Sequence, residues 1–206
     1  VDKLANYELA AIAEQCDWVN TMSYDFMGAW DLSITGHHSG LHANPSNPSG
    51  NDNVRMYYNS ASSVQLWLDA GVHPDKIVMG VPFYGRAWGG VSSTNGGLFQ
   101  AASFVPPGSW DDWSSGATGI NDFTEIQSLL SSGNYVRHWD EQAKVPWLYS
   151  PSAHGGHFIS YDDAESMQYK VDHVQALDLG GIMFWEITAD RDETLLDVIH
   201  DGLSSP

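Results

Sequence analysis

Three segments of the sequence each place an aromatic residue beside an ionisable one. The pairs are Tyr24 with Asp25, Tyr84 with Arg86, and Trp185 with Glu186. Sugar rings present apolar C–H faces to aromatic planes and a rim of hydroxyls to polar side chains, so the combination favours a carbohydrate site. A purely structural role for these residues is also open. Aromatic residues dominate protein cores, and a buried carboxylate such as Asp25 needs a partner such as Arg86.

The segments that carry these pairs have the pattern of buried strands that alternate with helices. Apolar, β-prone runs of strand length occupy 18–24, 76–84 and 182–187. Apolar residues at helical spacing occupy 4–15, 54–70, 163–179 and 194–199. This alternation predicts an α/β fold with a parallel sheet, in which the carboxyl ends of the strands meet at one edge.

Two further stretches lack this alternation. Residues 28–53 are rich in Gly, Pro, Ser, Asn and His and indicate a long loop, a kind of segment that is often functional. Residues 89–160 consist of short segments punctuated by Gly, Ser and Trp, and we interpret them as an α+β insertion with a small core of its own. The chain is therefore divided into 1–88, 89–160 and 161–206.

Length and charge exclude several classes of protein. The chain has 206 residues, which suits one domain but is short for a complete eight-stranded α/β barrel of about 250 residues. Its 26 Asp and Glu against 8 Lys and Arg give a net charge of -18. That charge repels phosphate backbones and anionic lipids, so we expect no nucleic-acid or membrane partner. No apolar run approaches the roughly 20 residues of a membrane span, and the first residues are no signal peptide, which suits a mature or excised chain.

No metal or cofactor motif stands out. The single cysteine, Cys16, excludes an internal disulfide and a cysteine-based zinc site. Several histidines lie in Gly-rich loops, and we interpret them as solvated loop residues rather than metal ligands: His37, His38, His42, His154 and His157. The phosphate-binding patterns GxxxxGK and GxGxxG and the hydrolase pattern GxSxG are absent. We expect neither metal nor cofactor.

Four segments in order along the chain resemble glycoside hydrolase family 18, the chitinases and their relatives. They are 22–28 (MSYDFMG), 76–88 (KIVMGVPFYGRAW), 159–163 (ISYDD) and 180–186 (GGIMFWE). The resemblance implies that the chain is the C-terminal portion of a (β/α)8 TIM barrel. Residues 1–88 would end helix five and supply strand six, helix six and strand seven. Residues 89–160 would form the α+β insertion domain between strands seven and eight, and 161–206 would supply helix seven, strand eight and helix eight.

The resemblance also implies a chemistry, the retaining hydrolysis of β-1,4 bonds between N-acetylglucosamine units. In this family the N-acetyl oxygen of the substrate itself attacks the anomeric carbon. By the family pattern Tyr24 would donate its hydroxyl to that acetamido group, and Asp25 would contact the sugar at the cleavage site. The implied substrate-binding residues are Trp185 as the floor under the sugar, Met22 below it, Tyr84 and Arg86 along the cleft, and Trp30, Trp88 and Trp139 as further platforms.

The general acid of the family is missing from this sequence. It is the Glu of a D-x-x-D-x-D-x-E signature on strand four, and the chain contains no such run. Glu186 does not replace it, because side chains alternate along a strand and Glu186 should point away from a cleft that Trp185 faces. We therefore expect a piece of a secreted chitinase that is inactive by itself. Unpaired sheet edges would favour a complementary N-terminal half-barrel chain or a second copy as partner.

Two alternatives stay open. One is a non-catalytic, lectin-like protein that binds chito-oligosaccharides, since relatives that lose the acid can keep the cleft. The other is a structural fragment that binds nothing, with Tyr24 and Trp185 as core residues. Binding of chito-oligosaccharides without cleavage would indicate the first alternative, and absence of both would indicate the second.

Overall fold

The computed structural model of the protein describes Leu4 and residues 6–204. These residues form one parallel and one antiparallel β-sheet, with helices packed around them. In chain order the elements are α1 (Leu9–Gln15), β1 (Val19–Thr21), α2 (Asp52–Tyr57), α3 (Ser60–Asp69), β2 (Ile77–Pro82), β3 (Tyr84–Gly89), β4 (Ile120–Asp122), α4 (Phe123–Ser131), β5 (Val136–Asp140), β6 (Val145–Ser150), β7 (His157–Ser160), α5 (Ala164–Ala176), β8 (Gly181–Trp185) and α6 (Thr194–Ser204). Parts of the predicted segments, residues 1–3, 5, 205 and 206, lie outside the described residues.

The parallel sheet holds three strands in the order β1-β2-β8. Both outer strands run parallel to β2, and the register pairs Thr21 with Met79 and Pro82 with Trp185. The central strand is apolar throughout, and Ile77, Met79 and Val81 are fully buried. A strand with this composition must be covered on both faces. The parallel sheet that the apolar runs predict is confirmed.

Helices α5 and α6 cover this sheet with apolar stripes. Val171 of α5 and Leu195 of α6 are buried in the same cluster as Met79. Asp163 and Ser166 form a capping box that starts α5, so this helix begins where the sequence predicted. None of the helices in the described part of the chain has the length and apolar character needed to cross a bilayer.

The single helix predicted over 54–70 is two helices. The Asn51 side chain accepts a hydrogen bond from the Asn53 N–H at 3.0 Å and caps α2. Asn59 does the same for α3 by accepting from the Ser62 N–H at 2.9 Å. A second N-cap inside the span ends one helix and starts another, which an apolar repeat alone does not reveal.

The antiparallel sheet holds five strands in the order β4-β3-β7-β6-β5. It begins at Tyr84, whereas the sequence places the start of the insertion at residue 89. The chain changes sheets at Phe83, whose N–H donates to the Trp185 carbonyl at 2.7 Å while its own carbonyl accepts from the Phe123 N–H at 3.0 Å. The apolar run continues through this switch, so the sequence pattern does not mark it. The division of the chain into separate domains stays a prediction.

The buried apolar residues of the antiparallel sheet belong to two clusters, one on this sheet and one shared with the parallel sheet. Trp88, Trp147 and Phe158 belong to a cluster on this sheet. In contrast, Leu148 and Ile159 of neighbouring strands are buried in the same cluster as the parallel sheet. The expectation of a small separate core for residues 89–160 is therefore wrong in part, because one apolar cluster joins the two sheets.

The long loop after β1 bonds, through Ser39, to a buried ion pair between Asp162 and Lys170 of α5. Lys170 Nζ lies 2.7 and 2.6 Å from the two carboxylate oxygens of Asp162, and both side chains are fully buried. The hydroxyls of Ser39 and Ser166 donate to the same carboxylate at 2.6 and 2.7 Å. A buried ion pair is tolerated when such bonds satisfy its remaining oxygens.

Replacing Lys170 by Met is expected to lower the free energy of unfolding by about 3–5 kcal/mol, because the Asp162 carboxylate stays buried without its cation. Urea unfolding followed by circular dichroism measures the change. Arg55→Met is the control, since it removes an ion pair between half-buried Arg55 and exposed Asp52. If the Lys170 variant loses no more stability than this control, the buried pair does not stabilise the fold.

Candidate functional site

The aromatic and ionisable pairs meet where the parallel strands end. Tyr24 and Asp25 follow β1, Tyr84 starts β3 immediately after β2, and Trp185 is the last residue of β8. Because the three strands are parallel neighbours, their carboxyl ends lie at one edge of the sheet. Arg86 reaches the same place from β3.

Asp25 and Arg86 form a two-pronged ion pair across this edge. The Arg86 Nε donates to Asp25 Oδ1 at 2.8 Å, and Nη2 donates to Oδ2 at 2.7 Å. The Arg86 side chain is 13% exposed and the Asp25 side chain 32%. Planar bidentate pairs of this kind are among the strongest charge-assisted hydrogen bonds and fix the orientation of both groups.

The environment keeps Asp25 ionised. Burial by itself would raise the pKa of the carboxyl, but the contacts with His38 and Arg86 and the charge of Arg86 outweigh it and hold the pKa well below its usual range. Burial and, next, the negative charge of Asp25 raise the pKa of the Tyr24 hydroxyl. The same two causes are the largest ones that raise the pKa of the Tyr84 hydroxyl. The site therefore offers one fixed anion and two phenol hydroxyls that stay protonated as donors.

Aromatic rings surround the ion pair. The rings of Tyr24 and Tyr84 meet edge to face with centroids 6.1 Å apart. The Arg86 guanidinium lies 5.3 Å from the ring centroid of Trp30 and 5.4 Å from that of Tyr84. These contacts hold the cation between two ring faces.

A cleft of about 890 Å³ opens beside the pair. Its lining includes Met22, Tyr24, Asp25 and Trp30, together with Tyr57, Tyr58 and Trp67 from the region of α2 and α3. Large apolar side chains remain accessible here, with exposures of 73% for Met22, 62% for Trp30 and 59% for Trp185. A mixture of exposed aromatic planes and a few fixed polar groups suits a ligand with apolar faces and a polar rim.

Two tryptophans predicted as sugar platforms lie elsewhere. The structure corrects the prediction for Trp88, which is fully buried, packs on Phe158 and donates its Nε1–H to the Asp31 carbonyl at 3.1 Å. Trp139 lies on β5, the outermost strand of the antiparallel sheet, where it packs against Tyr169. A platform role for Trp139 stays a prediction. Glu186, which the sequence analysis rejected as an acid, accepts a hydrogen bond from the Thr188 hydroxyl.

The prediction that the loop histidines are solvated is wrong for His37, His38 and His157, which are buried. The long loop packs against the antiparallel sheet, as the bond of 2.9 Å from the His38 N–H to Ser160 Oγ illustrates. No spacing in the sequence separates these buried histidines from the exposed ones. Among Leu4 and residues 6–204, no group of three or more His, Cys, Asp or Glu side chains could hold a metal ion.

Comparison with known proteins identifies the family. The model of glycosyl hydrolases family 18 matches residues 1–190. The chain belongs to this family. It is 41% identical over 201 residues to chitinase A1 of Niallia circulans, an alignment that covers 97% of the chain. The solved chitinase ChiA74 from Bacillus thuringiensis matches 95% of the chain with a TM-score of 0.84 and 34% identity. The family 18 chitinase from Cycas revoluta, solved in complex with (GlcNAc)3, matches 96% with a TM-score of 0.78 and 26% identity.

The family 18 chain spans only part of each of these relatives. It covers 28% of the Niallia circulans protein, 33% of the Bacillus thuringiensis chain and 50% of the Cycas revoluta chain. Within that part, its α/β fold is the fold of solved family 18 chitinases.

Replacing Arg86 by Met should raise the pKa of Asp25, because the burial that opposes ionisation remains while the main counter-charge is removed. In the native protein the lowered pKa of Asp25 stabilises the folded chain. This stabilisation is fully present above the pKa of about 3.9 that Asp has in the unfolded chain, and it is lost as the pH falls from there towards the folded pKa. Carbon-13 NMR of the Asp25 carboxyl between pH 7 and 3 measures the change. We expect titration inside this window for the variant and none for the native chain.

Arg137→Met is the matched control for this titration. It removes an arginine that pairs with Asp163 and Glu165 at 2.7 Å each, in a different part of the antiparallel sheet. Asp25 should titrate as in the native chain. Equal titration of Asp25 in the native and Arg86 variants would show that the ion pair does not control its charge.

Proposed function

We propose that the chain is the C-terminal portion of the (β/α)8 barrel of a family 18 chitinase, with strands six to eight and the α+β insertion. Its cleft would bind β-1,4-linked N-acetylglucosamine polymers and, in the complete enzyme, hydrolyse them. The observation that supports this most is the meeting of Tyr24, Asp25 and Arg86 beside exposed Trp30 and Trp185. The related Cycas revoluta chitinase holds (GlcNAc)3 in its solved complex.

In the proposed reaction, the acetamido oxygen of the substrate attacks the anomeric carbon and forms an oxazolinium-like intermediate with retention of configuration after hydrolysis. The Tyr24 hydroxyl, kept protonated by its raised pKa, donates to the acetamido group. The ionised Asp25 would stabilise the positive charge that develops there. Trp185 would supply an apolar plane under the sugar with Met22 beneath it, Trp30 lines the cleft, and Tyr84 and Arg86 would complete the site.

The leaving sugar requires a proton that this chain does not supply. The family's D-x-x-D-x-D-x-E signature, which provides the acid, is absent from the sequence. Positioned acid catalysis contributes about 10²–10⁴-fold to rate, so the chain alone should be inactive on chitin. The lectin-like alternative rests on the same absence, because a cleft without the acid can still bind oligosaccharide.

Open sheet edges support a requirement for more strands. In the described part of the chain, β1 and β8 are each paired on one side only. Trp18 and Met22, which flank β1, are 59% and 73% exposed. Additional barrel strands would cover both edges, from the same polypeptide, a complementary N-terminal half-barrel or a second copy. Because chitin is an insoluble polymer, we place this activity outside the cell.

The 206-residue chain is expected to bind chitotetraose in calorimetric titration. Trp185→Ala should weaken binding about tenfold through loss of the stacking plane, and Tyr24→Phe about fivefold through loss of one hydrogen bond. Trp113→Ala is the control, since Trp113 is 69% exposed and lies in the connection between β3 and β4. Absence of binding by the native chain, or equal losses in all three variants, would contradict the proposed sugar site.

Turnover of a chromogenic chitobioside separates the enzyme from the lectin. We expect none from the chain alone, and turnover after co-expression with an N-terminal family 18 half-barrel that carries the acid signature. In that complex Tyr24→Phe should lower kcat about 100-fold, because a donor to the reacting group is lost. Turnover by the isolated chain would overturn the claim that it lacks the acid. An inactive but folded complex would favour the lectin.

A further inference from the structure

His38 is a fully buried neighbour of Asp25. Its Nδ1 is 3.5 Å from Asp25 Oδ1. Neither ring nitrogen makes a hydrogen bond of good geometry among Leu4 and residues 6–204, so the contact of Nδ1 with Asp25 Oδ1 is at ion-pair distance only. A buried polar nitrogen without a partner is costly, so the carboxylate is the acceptor toward which this ring is driven.

The main chain of His38 is fixed on both sides. Its N–H donates to Ser160 Oγ at 2.9 Å, and Ser160 is the register partner of Arg86 in the antiparallel sheet. Its carbonyl accepts from the Phe26 N–H at 2.9 Å. Phe26 follows Asp25, whose φ of 58° lies in the left-handed region that residues other than glycine rarely adopt. The same residue thus holds the turn and faces the carboxylate.

Burial keeps this imidazole neutral. It lowers the pKa of His38, against the opposing effects of Asp25 and Asp162. A neutral ring has one N–H, and donation from Nδ1 orients the carboxylate without neutralising it. Arg86 carries the positive charge that keeps Asp25 ionised. The neutral ring of His38 would instead orient the Asp25 carboxylate.

We infer that His38 is the positioning residue for Asp25: its neutral ring donates Nδ1–H to Asp25 Oδ1, while its carbonyl holds the following turn. The positioning itself is a property of the isolated chain. Its consequence for sugar rests on the proposed function.

The tautomer of His38 tests the inference without any ligand. Long-range proton–nitrogen NMR of the 206-residue chain should show a neutral ring with hydrogen on Nδ1 at pH 7 to 8. A ring protonated on Nε2 alone, or charged at pH 7, would overturn the inference. This result is independent of whether the chain binds sugar.

Two substitutions separate positioning from simple packing. His38→Asn keeps an N–H donor close to the position of Nδ1, whereas His38→Leu removes it. Hydrogen exchange of the Arg86 Nε–H reports the ion pair, and it should be about tenfold faster in the Leu variant and near native in the Asn variant. His37→Leu is the control, because its ring bonds Asp140 at 2.8 Å instead. If His38→Leu and His37→Leu accelerate exchange equally, or Asn fails to rescue, His38 is only a packing residue.

Chitotetraose binding provides the functional readout. His38→Leu should bind about five- to tenfold more weakly than the native chain, and His38→Asn within about twofold of it. A native affinity in His38→Leu would overturn the consequence for sugar. If the native chain itself does not bind, the proposed function fails, and the tautomer and exchange measurements still decide the positioning role.

Discussion

The ion pair between Asp25 and Arg86 joins the two sheets at the point where a ligand would enter. Asp25 follows the parallel strand β1, and Arg86 belongs to the antiparallel strand β3. A partly buried pair stabilises a structure only when its geometry is good and its remaining oxygens are satisfied. The two-pronged contact engages both carboxylate oxygens, so the pair adds a polar link to the apolar cluster that joins the two sheets.

The buried pair of Asp162 and Lys170 extends the same logic away from the cleft. Ser39, next to His38, donates to Asp162, so adjacent residues of the long loop are bonded to β7 and to Asp162, which lies two residues before α5. Loops rarely enter a core, because their backbone groups need partners. Here buried charges and hydroxyls bond the loop, and its residues 35–41 are buried.

Fixed polar groups suit the proposed chemistry. The substrate brings its own nucleophile, so the protein must hold donors and a charge in place rather than supply an attacking group. Tyr24, Tyr84 and Asp25 are held by edge-to-face contact, ion pair and burial. By contrast, the exposed edges of the parallel sheet and exposed Trp18 and Met22 are what an incomplete barrel would leave uncovered.

The sequence by itself determined the parallel strands, the helices over them and the meeting of Tyr24, Asp25, Tyr84 and Arg86, because apolar runs and chain direction dictate which strand ends share an edge. It did not determine the switch of sheets at Phe83, the second cap at Asn59, the burial of Trp88 or the place of His38. Each depends on contacts between residues far apart in the chain. Local periodicity says which faces are apolar, but only tertiary packing decides what covers them and which loop polar groups find buried partners.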